Sequence, residues 1–137
     1  MTRTMVLGAA VLAACLLAAG GCSKDSTGPR SGPMYVLLSG APPARSVRLR
    51  IVGKQTGVTV VSGPTRLFLS APSGDTITAL VIAPQGQALT GALVQITVPD
   101  QSAAATGLSA TLVQAAAADY SLQPVAAYTV TVKPTPN

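Results

Sequence analysis

The chain has 137 residues, with nine Lys and Arg against four acidic residues and a formal net charge of +5. Charged residues make up only 9% of it and aromatics 3%, and it contains no His, Glu or Trp. Without His there is no imidazole base for a Ser-His-Asp or Cys-His triad and no His ligand for a metal, so much of the enzyme repertoire is excluded at the outset.

The apolar residues are unevenly placed. Fifteen of the first 21 residues are apolar, whereas the remainder has the apolar fraction of an ordinary globular domain. Met1-Thr2-Arg3-Thr4 is a short basic start, and Met5 to Ala19 is an apolar run rich in Ala and Leu. At about 15 residues the run suits a secretory leader and falls short of the roughly 20 that span a membrane as a helix. It ends in Ala18-Ala19-Gly20-Gly21-Cys22-Ser23.

Small residues followed by Cys, where the apolar run stops, resemble the lipobox of bacterial lipoproteins. The resemblance implies a signal peptide over 1–21, cleavage before Cys22, a diacylglycerol on the Cys22 thiol and an acyl chain on the new amino terminus. The family prefers Leu three residues before the Cys, where this chain has Ala19. A second box, Leu12-Ala13-Ala14-Cys15, has that Leu. Cleavage there would leave an apolar mature end and strand Cys22 as an unpaired thiol in an oxidising compartment. The two boxes stand as alternatives, with a plain signal peptide or N-terminal membrane anchor as the third. Two or three acyl chains hold a protein stably on a bilayer without crossing it. By the family's sorting rule, Ser23 in place of Asp after the Cys implies the outer membrane, facing the periplasm or the exterior.

Cys22 to Pro33 is polar, with Gly and Pro spaced through it. It reads as a flexible tether with an rms reach on the order of 20 Å. From Met34 onward the residues favour strands. Val, Ile and Thr form about a quarter of the chain after the leader, and β-branched side chains fit a pleated surface. The predicted strands are Met34–Ser39, Ser46–Val52, Val58–Ser62, Thr65–Ser70, Thr76–Ala83, Ala92–Val98, Gly107–Ala115 and Ala127–Lys133. Turns rich in Gly, Pro, Ser and Asp separate them. In Ser46–Val52 the alternation is cleanest: Val47, Leu49 and Ile51 point one way, Arg48 and Arg50 the other.

Two Ala-rich stretches, Ser102 to Ala105 and Ala115 to Ala118, favour helix instead. Leu108 and Leu112 stand at i, i+4, so Ser109–Asp119 reads either as strand or as helix, and a short helical turn is expected around Ala116–Gln123. The sum is an all-β chain: a single antiparallel β-sandwich of seven to nine short strands over residues 34–133, after an N-terminal signal helix and tether, with a tail at 134–137. The pattern resembles the broad immunoglobulin-like or cohesin-like sandwich class. It has no Cys pair or Trp for the core of an immunoglobulin domain proper.

Beyond the leader and tether the acids are Asp75 and Asp100, placed where Asp turns or caps a chain, and Asp119, which ends the Ala run. They are too dispersed for a calcium site or a carboxylate pair. No Ser-x-x-Lys pattern occurs. No catalytic residue, metal or cofactor is therefore expected beyond the lipid on Cys22, and no small-molecule substrate is indicated. Tyr35, Phe68, Tyr120 and Tyr128 are the aromatics, which fit core or edge packing better than sugar platforms. Arg45, Arg48, Arg50 and Lys54 cluster around one strand and its turn. They read as a solvated outer face or as a contact for anionic headgroups or acidic polymers. Nucleic acid is not expected, for want of stacking aromatics. The expected function is a membrane-anchored, non-catalytic sandwich acting as a structural or protein-interaction module with an envelope protein partner. The alternative is a carbohydrate-binding accessory domain.

Overall fold

The structure is a computed structural model that describes residues 28–137. The leader, Cys15, Cys22 and the first part of the tether lie outside the described residues. The elements are β1 (Gly32–Gly40), β2 (Ser46–Val52), β3 (Gly57–Val60), β4 (Arg66–Leu69), β5 (Thr76–Ile82), β6 (Gly91–Val98), α1 (Gln101–Gly107), β7 (Ser109–Ala116), β8 (Leu122–Gln123) and β9 (Tyr128–Lys133). They build two sheets, in the orders β3-β6-β1-β9 and β4-β5-β2-β7-β8. Every strand pairing is antiparallel. The fold is the all-β sandwich expected from the sequence.

Period-two patterning decides which side of each strand faces inward. In β2, Val47, Leu49 and Ile51 are buried while Arg48 and Arg50 are exposed. In β5, Ile77, Ala79 and Val81 are buried in the same way. Met34, Val36 and Leu38 of β1 and Val94, Ile96 and Val98 of β6 supply the opposing layer. No polar or charged residue is buried among the described residues, so the core is held by apolar contact alone.

β1 and β6 form the centre of one sheet, β2 and β7 lie side by side within the other, and the chain changes sheet between β1 and β2 and between β6 and β7. In an immunoglobulin sandwich strands B·E and C·F stand in this relation. The likeness therefore holds for these four strands. The edge differs, because the last strand, β9, lies beside β1, where the immunoglobulin order places strand A. Both cysteines precede the domain, so no disulfide joins the sheets. The Tyr128 hydroxyl donates to the Pro42 carbonyl oxygen and ties the start of β9 to the β1–β2 connection.

Three local expectations are corrected. First, β1 begins at Gly32 rather than Met34: Gly32 and Pro33 pair with Val98 and Thr97, and the Gln101 side chain donates to the Pro33 carbonyl at 2.8 Å. Second, a helix occupies Gln101–Gly107, over the first Ala-rich stretch, so the predicted strand Gly107–Ala115 begins later, at Ser109, and of the two readings of Ser109–Asp119 the strand is the one formed. The Asp100 carboxylate caps the helix by accepting from Ser102 N–H at 3.0 Å. Ser109–Ala116 is strand β7 because it fills the place beside β2, burying Leu112 and Ala115, and tertiary pairing outweighs the preference of Ala for helix.

Third, the helical turn expected around Ala116–Gln123 is a hairpin loop into β8. Tyr120 N–H donates to Ala117 O at 2.9 Å and Ala117 N–H to Ser121 O at 3.0 Å. Tyr120 adopts φ 64, the left-handed position that Gly usually fills in such a loop. A single 3₁₀ turn at Val125–Ala127 then leads into β9.

The Asp119 carboxylate holds this loop, accepting from the Ser121 hydroxyl at 2.6 Å and from Ser121 N–H at 3.0 Å. Those bonds favour the ionised form and lower its pKa from the ordinary 3.8. The contribution is present above the ordinary value and is lost as pH falls through the depressed folded value. The Ser121 amide resonance should titrate with a midpoint below 3.8, and Asp119→Asn should abolish that titration. A midpoint at or above the ordinary value would show that the loop bonds do not hold in solution.

Candidate functional site

The outer face of the five-stranded sheet carries two of the four cationic residues singled out from the sequence, Arg48 and Arg50, with Arg45 at its end. Strand register sets its rows. Phe68, Leu80, Arg48 and Gln114 form one row. Arg66, Ile82, Ser46, Ala116 and Leu122 form the next, and Thr78, Arg50 and Thr111 lie on the other side. Alternate residues along a strand stand about 7 Å apart and neighbouring strands about 4.8 Å. Arg48 and Arg50 are thus adjacent, and Arg66 lies two strands away and one row on.

Arg66 is not singled out by the sequence. A signal is present, since Arg66 and Phe68 alternate with Leu67 and Leu69 as the arginines of β2 alternate with its apolar residues. The strand is only four residues long, however, too short for the alternation to stand out.

Arg45 closes one end of this face. Its N–H donates to Ala116 O and its carbonyl accepts from Ala83 N–H, both at 2.8 Å. Its guanidinium lies 5.7 Å from the centre of the Tyr120 ring, within cation–π range, and its Nε is buried without a hydrogen-bond partner. Lys54 does not join the group. It follows Gly53 at the opposite end of β2 and lines a groove of about 530 Å³ with Pro29, Asp75, Asp100, Ala104 and Leu108.

Among the described residues no carboxylate stands on the strands of this face. Asp75 and Asp100 belong to the Lys54 end, and Asp119 sits in the β7–β8 loop, engaged by Ser121. Large apolar side chains accompany the arginines instead. Phe68 is 53% exposed on one side of Arg48, and Leu122 is 67% exposed on the other. Val113, the extra residue where the β2–β7 register shifts, is also exposed.

A second feature is β9. It has six residues and among the described residues pairs with β1 alone, so the other side of its backbone is unpaired there. Thr129 and Thr131 are exposed and Val130 and Val132 half-buried. The other edges, β3, β4 and β8, have four, four and two residues.

Among the described residues no three His, Cys, Asp or Glu come together as a metal site, and no helix is long and apolar enough to cross a membrane. Comparison with protein families, with curated proteins and with solved structures finds no match.

Proposed function

We propose that this chain is a lipid-anchored, non-catalytic β-sandwich of the bacterial cell envelope, working as a structural or protein-interaction module. Cys22 carries the diacylglycerol and amino-terminal acyl chain, and the domain stands at the outer membrane, facing the periplasm or the exterior. The observation that carries the interaction reading is β9: six residues long, unpaired on one side among the described residues, and bearing Lys133 as its sole charge. Such an edge offers a row of N–H and C=O groups to an extended segment of a partner, with the alternate side chains setting preference.

Two measurements on native membranes test this. Intact-mass analysis should find an acylated chain that begins at Cys22; a chain beginning at Cys15, or an unacylated one, would overturn the anchor. A photo-crosslinking side chain placed at Thr131 should give one discrete protein adduct, and one at Ala105, exposed on α1, should give none. Equal crosslinking from both positions would remove β9 as the docking edge.

The exposure of Phe68 and Tyr120, at 53% and 74%, favours one second reading, a carbohydrate-binding accessory domain, because exposed rings are where sugars stack. Specific glycan binding on an array, lost in Tyr120→Ala, would replace the protein-interaction reading.

A further inference from the structure

We propose that the outer face of the five-stranded sheet docks flat on an anionic phospholipid surface. Arg48, Arg50 and Arg66 meet the phosphates, and Phe68 and Leu122 enter the headgroup boundary. The proposal rests on the reading of this chain as membrane-anchored and adds to it an orientation and a ligand chemistry.

Charge complementarity selects the occupant. The face carries three arginines in rows fixed by backbone pairing, and none of the described carboxylates stands on it. Guanidinium groups suit phosphate oxygens, which they bind through paired N–H donors. An exposed sheet face of a small domain needs charge only for solubility, and mixed signs would serve. A single sign, spread over about three strands, is instead suited to a broad anionic plane.

The apolar residues point the same way. A face meant for water has little reason to present Phe68 and Leu122 beside its arginines, both more than half exposed. Cations and large apolar side chains on one surface are the composition of elements that lie in the plane of a membrane. Tyr120 adds an independent sign. Its φ of 64 is one that L side chains seldom adopt, yet the position holds a bulky ring rather than Gly. The residue is 74% exposed, and its ring lies over the Arg45 guanidinium at the end of the face. Tyr at the rim of a membrane-facing surface places an amphipathic ring at headgroup level.

The chain has no Trp, so Phe68→Trp introduces a sole fluorescent reporter on the face, and Ala105→Trp one on the exposed side of α1. The full chain, purified from membranes, is reconstituted into phosphatidylcholine vesicles with or without an equal part of phosphatidylglycerol. With phosphatidylglycerol, Phe68→Trp emission should shift to the blue and be quenched by brominated acyl chains. In phosphatidylcholine alone, and for Ala105→Trp in either vesicle, the indole should remain in water. Changing Arg48, Arg50 and Arg66 together to Gln should weaken the docked state on the order of 100-fold and return the emission to that of the phosphatidylcholine sample.

Absence of quenching with phosphatidylglycerol overturns the proposal, as does quenching that ignores lipid charge or the arginines. A shift produced by a soluble acidic polysaccharide but not by the vesicles overturns it in favour of that polymer. Failure of the anchor reading is seen separately: the intact mass would then lack acyl chains, whatever the position of the indole.

Discussion

Replacing Gly40 with Ala should destabilise the domain by about 3 kcal/mol and lower its melting temperature by roughly 10–15 °C. Gly40 ends β1 at φ +142, a conformation that side-chain-bearing residues rarely adopt. A Cβ there would run into the Ala127 carbonyl oxygen and come within 2.8 Å of the Tyr128 Cα. Both obstacles are backbone, so no rotamer change relieves them. They also belong to the start of β9, where the Tyr128 hydroxyl is tied back to Pro42, and a displacement would loosen that tie as well. Thermal unfolding of Gly40→Ala beside Ser39→Ala is the check, because Ser39 is exposed and free of these contacts. A pair of variants that melt together would show that the β1–β9 junction yields easily.

Leu49→Ala is the second large effect, at about 3–4 kcal/mol. Leu49 is fully buried in β2, which lies between β5 and β7, and it sits opposite Ala79 and Leu112. Ala79 is too small to move into the vacated space, and Leu112 is held by its own strand pairing, so the cavity persists. Small domains are stable by about 5–15 kcal/mol in all, so the loss is a large share. Leu49→Met keeps the volume and should cost less than about 1.5 kcal/mol. Arg50→Ala, one residue along and on the outer face, should stay within about 0.5 kcal/mol. Urea titration of the three separates them, and a cost for Arg50→Ala equal to that for Leu49→Ala would contradict the orientation of β2.

The same strand shows why much of the fold is legible in the sequence. Val47-Arg48-Leu49-Arg50-Ile51 alternates without a break, so facing, burial and the outward arginines all follow from the order of the residues. Where strands are short or Ala-rich the information thins. Ala fits a helix by propensity and a packed sheet by size, and the choice between them at Ser109–Ala116 is made by β2, some 60 residues earlier in the chain. The helix at Gln101–Gly107 carries a local sign, Asp100 before the Ala run, but that sign is ambiguous because Asp after Pro99 reads equally as a turn. The β7–β8 loop has no sign to find, for Tyr120 occupies a position whose usual marker is Gly. The candidate face is half legible: the pair on β2 follows from periodicity, but Arg66 joins it only through the pairing of β4 with β5. Lys54 is near the pair in sequence and remote in space because Gly53, at φ +138, turns the chain away at the end of the strand.

The way the chain enters the sandwich also sets how it bears force. The chain enters the fold at β1, and β1 is a central strand, bonded to β6 along one side and to β9 along the other. A pull on the amino-terminal side runs along the axis of β1 and, with the domain held at the opposite end of the sheet, loads both ladders in shear, with many hydrogen bonds sharing the strain at once. Had an edge strand come first, the same pull could have peeled it away bond by bond. The Gln101 amide, bonded to Pro33 at 2.8 Å, and the Gln101 N–H, bonded to Arg30 O at 2.9 Å, brace the point where that load arrives.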